Sequence, residues 1–210
     1  MNPKLAHPFT CVIAGPTGCG KTQFVKKLLT QDVIEGAPER IVYCYGEYQP
    51  AFVEMSAALP QIRFVEGLPT NLDEYLDPSY KTLIILDDIM TSHGNDKRIT
   101  DLFSKGSHHR NISVIYILQN FFYGAKETRN ITLNAHYIVL FKNPRDKSQV
   151  SSLGKQMYPG QVKFIQEAFA DATKKPYGYL FIDLKPYTRD DFRLRTNIFP
   201  GETQYVYLPK

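Results

Sequence analysis

The chain has 210 residues, 43% hydrophobic and 22% charged, with a net charge of +4. That is the composition of a soluble globular protein long enough for one sizeable core, and its mild basicity permits a polyanionic partner without demanding one. Three cysteines, Cys11, Cys19 and Cys44, lack Cys-x-x-Cys spacing, which argues against a disulfide framework or a zinc site and for a reducing compartment. No apolar run approaches the ~18 residues of a membrane span and no secretory leader is visible. The expectation is an intracellular protein with no membrane partner.

In chain order, residues 1–8 are polar and proline-bearing and read as a short N-terminal arm. An apolar run at 9–14 predicts the first strand, and apolar Phe24, Val25, Leu28 and Leu29 at helical spacing predict a helix over 21–29. Gly36 and Pro38 break the chain before a second strand at 40–45. A helix at 51–59 leads into a short extended piece at 62–65, and 71–78 is loop with one helical turn at most. The run at 82–88 is apolar on both faces and ends in two carboxylates, the pattern of a buried parallel strand. A helix at 97–105 precedes a second such strand at 112–118, ending at Gln119 and Asn120, and a further strand spans 136–141. Helices at 147–157 and 161–172 are divided by Pro159-Gly160, and a strand follows at 177–184. The remainder, from 187, is extended and rich in aromatics. Alternating strands and helices predict an α/β fold, one mostly parallel sheet with helices on both faces. The expected organisation is an arm over 1–8, one domain over 9–184 and an extended C-terminal tail over 185–210.

The stretch Gly15-Pro16-Thr17-Gly18-Cys19-Gly20-Lys21-Thr22 fits G-x-x-x-x-G-K-[ST] at every fixed position, and it stands between a strand and a helix. Its glycines let backbone N–H groups converge on phosphate oxygens, and the helix start adds its positive dipole end. Lys21 is placed to reach the β- and γ-phosphates, and the Thr22 hydroxyl to ligate Mg²⁺. Asp87 and Asp88 end a buried strand, where ligands collect on an open α/β sheet. Asp87 is assigned to the metal shell and Asp88 to the attacking water as general base. Gln119 ends the next buried strand, where an amide can orient that water. Arg110 stands at the far end of the same strand, out of reach of its own subunit's γ-phosphate; a neighbouring copy could present it in trans as an arginine finger, while composition alone favours a surface arginine. His93, His108 and His109 lack a fourth ligand at suitable spacing and read as polar loop. Cys19, at a helix N-terminus, is expected to have a lowered thiol pKa.

The order GPTGCGKT, LIILDD, SKGSHHRNISVIYILQN resembles the FtsK/HerA superfamily of DNA-pumping ATPases. Within it the chain is most similar to the genome-packaging ATPases of poxviruses, adenovirus-like elements and Polinton-type transposons. The resemblance covers about two thirds of the chain. It implies a P-loop NTPase fold of the RecA/ASCE kind, ATP and Mg²⁺ as cofactors, and hydrolysis coupled to DNA translocation. The family's phosphate loop, acid pair, strand-end Gln and arginine finger map onto Lys21 and Thr22, Asp87 and Asp88, Gln119, and Arg110. One departure is Asp88, where many members have Glu. Implied partners are double-stranded DNA, further copies of the chain in a ring, and a viral capsid or portal, at a virus assembly site in the host nucleus or cytoplasm.

Candidate DNA contacts are Lys126 and Arg129 in one loop region and Lys142 and Arg145 in another, mixing cations with small or aromatic residues. Arg193 and Arg195 are further candidates on one strand face. Two alternatives remain open: a small-molecule kinase on the same loop, and a nucleotide-gated assembly factor with little turnover.

Overall fold

The computed structural model describes residues 4–89, 97–103, 111–121 and 126–209, with backbone alone for 126–128. In chain order the elements are β1 (Leu5–Ala6), β2 (Thr10–Ala14), α1 (Lys21–Thr30), β3 (Ile34–Glu35), β4 (Arg40–Tyr45), α2 (Ala51–Ala58), β5 (Ile62–Glu66) and β6 (Thr82–Asp87). Then follow α3 (Lys97–Asp101), β7 (Ile112–Leu118), α4 (Lys126–Leu133), β8 (Tyr137–Phe141), α5 (Ser148–Met157) and α6 (Val162–Ala172). The chain closes with β9 (Tyr179–Asp183), β10 (Leu194–Thr196) and β11 (Tyr205–Tyr207).

Among the described residues the main sheet has nine strands in the order β11-β10-β9-β8-β2-β7-β6-β4-β5. From β8 to β5 neighbouring strands run parallel; β9, β10 and β11 each run antiparallel to the strand before them. The apolar runs are continuous because both sheet faces are covered. In β2, Cys11 and Ile13 pack under Phe24, Val25 and Leu28 of α1 and Phe52 and Met55 of α2. Val12 and Ala14 pack on the other face with Ile131 of α4, Leu153 of α5 and Ile165 of α6. Successive side chains of a strand point to opposite faces, so burying both requires helices on both, as the alternation predicts.

Three segments carry detail the sequence left out. The N-terminal arm pairs through β1 with β3, forming a separate two-stranded parallel sheet. Residues 187–210, expected as an extended tail, add β10 and β11 to the main sheet and bury Ile198 and Phe199 beneath α1. The strand expected from 177 starts at Tyr179, because Tyr177 turns into the left-handed region at φ 61°. No helix among the described residues is long and apolar enough to cross a membrane.

Candidate nucleotide site

The central strand β2 delivers Gly15 to the carboxyl edge of the parallel strands, where an open α/β sheet receives its ligands. Gly18 and Gly20 take φ values of +77° and +104°, a region that favours glycine. Gly15 is needed for another reason: a Cβ there would stand 2.6 Å from Phe141 Cβ and 2.7 Å from Cys19 Sγ. Gly20 caps α1 without any side-chain hydrogen bond to the helix start, which leaves the first-turn N–H groups for an anion. Lys21 folds back over the loop, its Nζ donating to the carbonyls of Gly15 (2.5 Å) and Pro16 (3.0 Å).

Strand β7 lies between β2 and the acid-bearing β6, so Gln119 at its end stands between the phosphate loop and the carboxylates. Gln119 Nε2 donates to Asp88 Oδ2 at 2.5 Å, joining the two residues assigned to the water. Asp88 itself has φ 51°, in the left-handed region. Gly46, which follows the neighbouring strand β4, permits that turn: a Cβ on it would meet the Asp88 carbonyl oxygen at 2.8 Å.

Asp87 is buried, and among the described residues no cation forms a salt bridge with it. Its Oδ2 accepts from the Tyr43 hydroxyl at 2.7 Å and from Gln49 Nε2 at 3.4 Å. Burial raises its pKa above the usual carboxylate value and Asp88 adds to the rise, against the Tyr43 hydrogen bond and the Lys21 charge. The Thr22 hydroxyl donates to Gln49 Oε1 at 2.8 Å. One amide therefore bridges the two groups assigned to the metal. A hydroxyl and a carboxylate of this kind fit a hard divalent cation that takes its remaining ligands from phosphate and water. Thr17, Gly18, Gly20 to Gln23, Glu47 to Gln49, Asp87, Asp88, Ile117 to Gln119 and Tyr177 line one cavity of about 560 Å³.

Gln49, Tyr43, Glu47 and Tyr177 belong to no motif. Gln49 and Tyr43 come to Asp87 through the pairing of β4 with β6, which sets Tyr45 opposite Asp87. For Glu47 and Gln49 the available signal was position beyond the carboxyl end of β4, which adjoins the acid strand; Tyr43, inside β4, and Tyr177, ahead of β9, carried none.

One expectation is reversed. Burial raises the Cys19 thiol pKa, outweighing the Lys21 charge and the backbone N–H groups that pull it down. The thiol packs against the loop's own Gly15, so lost hydration exceeds the helix-end field. Arg195 is corrected too. It is a buried residue of the antiparallel strand β10, with Nη2 3.3 Å from Asp183 Oδ2, and is unavailable to DNA. Arg193 is held by Asp190 and by the carbonyls of Asp183 and Lys185. Arg129, Lys142 and Arg145 are exposed. Arg110, His93, His108, His109 and the Lys126 side chain lie outside the described residues.

This arrangement, a phosphate loop on the central strand facing an acid pair two strands away, defines the P-loop NTPase fold. Comparison with solved structures gives the same fold: B204, the DNA-packaging ATPase from Sulfolobus turreted icosahedral virus, covers 100% of both chains at a TM-score of 0.59 and 14% identity. B204 from Sulfolobus turreted icosahedral virus 2, in complex with ATP-gammaS, covers 100% of this chain and 99% of its own at 0.54 and 14%. The cytoplasmic domain of the type VII secretion ATPase EccC from Thermomonospora curvata covers 94% of this chain and 25% of its own at 0.54 and 10%.

In sequence the chain is similar to packaging protein 1 of human adenovirus B serotype 7, 27% identical over 132 residues, 52% of this chain. The match spans about a quarter of that protein's length, 26%. No family model matches. In fold the chain resembles viral genome-packaging NTPases.

Proposed function

We propose that this chain is an ATP-hydrolysing motor of the FtsK/HerA superfamily that translocates double-stranded DNA into a viral capsid, working as a homo-oligomeric ring at the site of virus assembly. The observation that carries this reading is the Asp88–Gln119 pair facing the phosphate loop, in a chain whose fold matches a DNA-packaging ATPase from end to end.

In this reading Lys21 leaves the Gly15 and Pro16 carbonyls to hold the β- and γ-phosphates, and the loop N–H groups bind the oxygens between them. Thr22 and Asp87 hold Mg²⁺, whose charge offsets that of the phosphates. Gln119 and Asp88 position a water against the γ-phosphorus. Its oxygen forms the new P–O bond, Asp88 takes its proton, and the bond to the β–γ bridging oxygen breaks to release ADP. Arg110 of an adjacent copy neutralises charge developing on the transferred group. Exposed Arg129, Lys142 and Arg145, with Lys126, grip the DNA backbone without reading sequence.

The test is ATPase rate against protein concentration, with and without duplex DNA. Cooperative onset and DNA stimulation are expected. Full activity in a lone copy indifferent to DNA would leave the kinase reading, and ATP-driven assembly without phosphate release would leave the assembly factor. Mixing Arg110→Ala with Lys21→Ala subunits should restore part of the activity each lacks alone; no restoration at any ratio removes the trans assignment.

A further inference from the structure

A second cavity, of about 210 Å³, opens beside the phosphate loop. Buried Phe24, Phe141, Tyr179 and Phe199 line it together with Gly20, Gln23, Lys27 and Tyr177. The aromatic floor is tightly built: Phe24 meets Tyr179 edge-on at 4.8 Å between ring centroids and Phe199 at 5.1 Å. Three residues, Gly20, Gln23 and Tyr177, line both this cavity and the phosphate cavity, so the two are continuous across the first turn of α1. A triphosphate lying on the loop with its γ end toward Asp88 and Gln119, as in the function proposed above, would send its other end past Gln23.

Tyr177 is the anomaly at this junction. It is 71% exposed yet adopts φ 61°, a conformation in which a bulky side chain is an outlier. Its turn is pinned by Gly178, where a Cβ would stand 2.5 Å from the Ala172 carbonyl oxygen. Its ring covers Gly20, with Cδ1 3.1 Å from the position of a Cβ there. Glycine would suit the backbone better, so backbone geometry does not account for the ring. Strained positions of this sort persist where a side chain has a task.

We propose that this cavity, within the nucleotide reading above, seats the purine base of the nucleotide, with the Tyr177 ring as its stacking face. The polar groups at its mouth are few. Lys27 is tied to Glu202 at 3.0 Å, and the Tyr179 hydroxyl accepts from the Ile198 N–H at 2.9 Å. Among the described lining residues Gln23 brings an amide to the mouth, and that amide donates and accepts equally well. The seat therefore holds a purine by its faces and discriminates little between adenine and guanine.

The experiment is calorimetric binding of ADP, GDP and inorganic tripolyphosphate to the full chain and to the Tyr177→Gly and Tyr177→Phe variants, with melting temperatures alongside. Tyr177→Gly should weaken ADP and GDP by roughly ten- to a hundredfold, the scale of one lost base–aromatic stack. It should leave tripolyphosphate unchanged and hold or raise the melting temperature, since glycine relieves the turn. Tyr177→Phe should bind both nucleotides like the parent, and the parent should bind ADP and GDP within a few-fold of each other. Equal weakening of tripolyphosphate would make the ring a prop for the loop and overturn the seat. So would unchanged ADP binding in Tyr177→Gly, or GDP binding far weaker than ADP in the parent. Should the parent bind neither nucleotides nor tripolyphosphate, the phosphate reading falls as well. Loss of hydrolysis alone with these affinities kept removes the motor and spares the seat.

Discussion

Two carboxylates end buried strands at opposite edges of the sheet, and they are treated differently. Asp87 closes a parallel strand at the nucleotide edge and, among the described residues, takes hydrogen bonds from the neutral donors Tyr43 and Gln49. Asp183 closes the antiparallel β9 at the other edge. It faces the Arg195 guanidinium at 3.3 Å, while its Oδ1 accepts from the Lys185 N–H at 3.1 Å. A buried charge with its own counter-ion is a structural fixture. A buried carboxylate given neutral donors and a raised pKa fits the cation-binding role proposed for Asp87.

Breaking the fixture should have the larger effect. Asp183→Asn leaves Arg195 buried and uncompensated, and Arg195 already has Nε and Nη1 without hydrogen-bond partners. We expect a loss of about 3–5 kcal/mol of folding stability, read by denaturant unfolding, with Arg195→Met in the same chain recovering much of it. Asp87→Asn should do the reverse. Hydrolysis should fall by roughly 10²–10³-fold, as when a transition-state stabiliser is removed, while unfolding midpoints hold or rise because no buried charge remains to be desolvated.

A smaller effect sharpens the contrast without touching either carboxylate. Gly46→Ala forces a Cβ against the Asp88 carbonyl. It should cost about 1–3 kcal/mol, as overpacking does, and lower the turnover number more than it raises KM, because Asp88 and Gln119 lose their alignment.

The finest test is pH. Burial lifts the folded pKa of Asp87 above its unfolded value, so folding stability is lost as pH climbs through the window between the two. In the proposed reading, Mg²⁺-dependent nucleotide binding should gain over that same window, since only the ionised form takes a cation. Tyr43→Phe removes a donor that favours ionisation, so the acid limb of binding should move to higher pH by about one unit. A limb that stays in place would mean Tyr43 supports the aromatic packing against Phe52 and Phe64 and nothing more.

The phosphate loop, the acid pair and the sheet's parallel strands were legible because each is written in consecutive residues. A loop must wrap one anion with neighbouring N–H groups, and a strand buried on both faces must be apolar without a gap. Gln49 between Thr22 and Asp87, Arg195 against Asp183, and Tyr177 over Gly20 carry no such signature. Strand order and register bring those groups together from distant parts of the chain, as β4 beside β6 sets Tyr43 and Gln49 at Asp87. Cys19 makes the same point from the opposite side: its place at a helix start was plain in the sequence, but only packing decided that desolvation outweighs the field there. Local pattern fixes which chemistry the backbone can cradle. Burial and pairing across the sheet fix which charges stand alone.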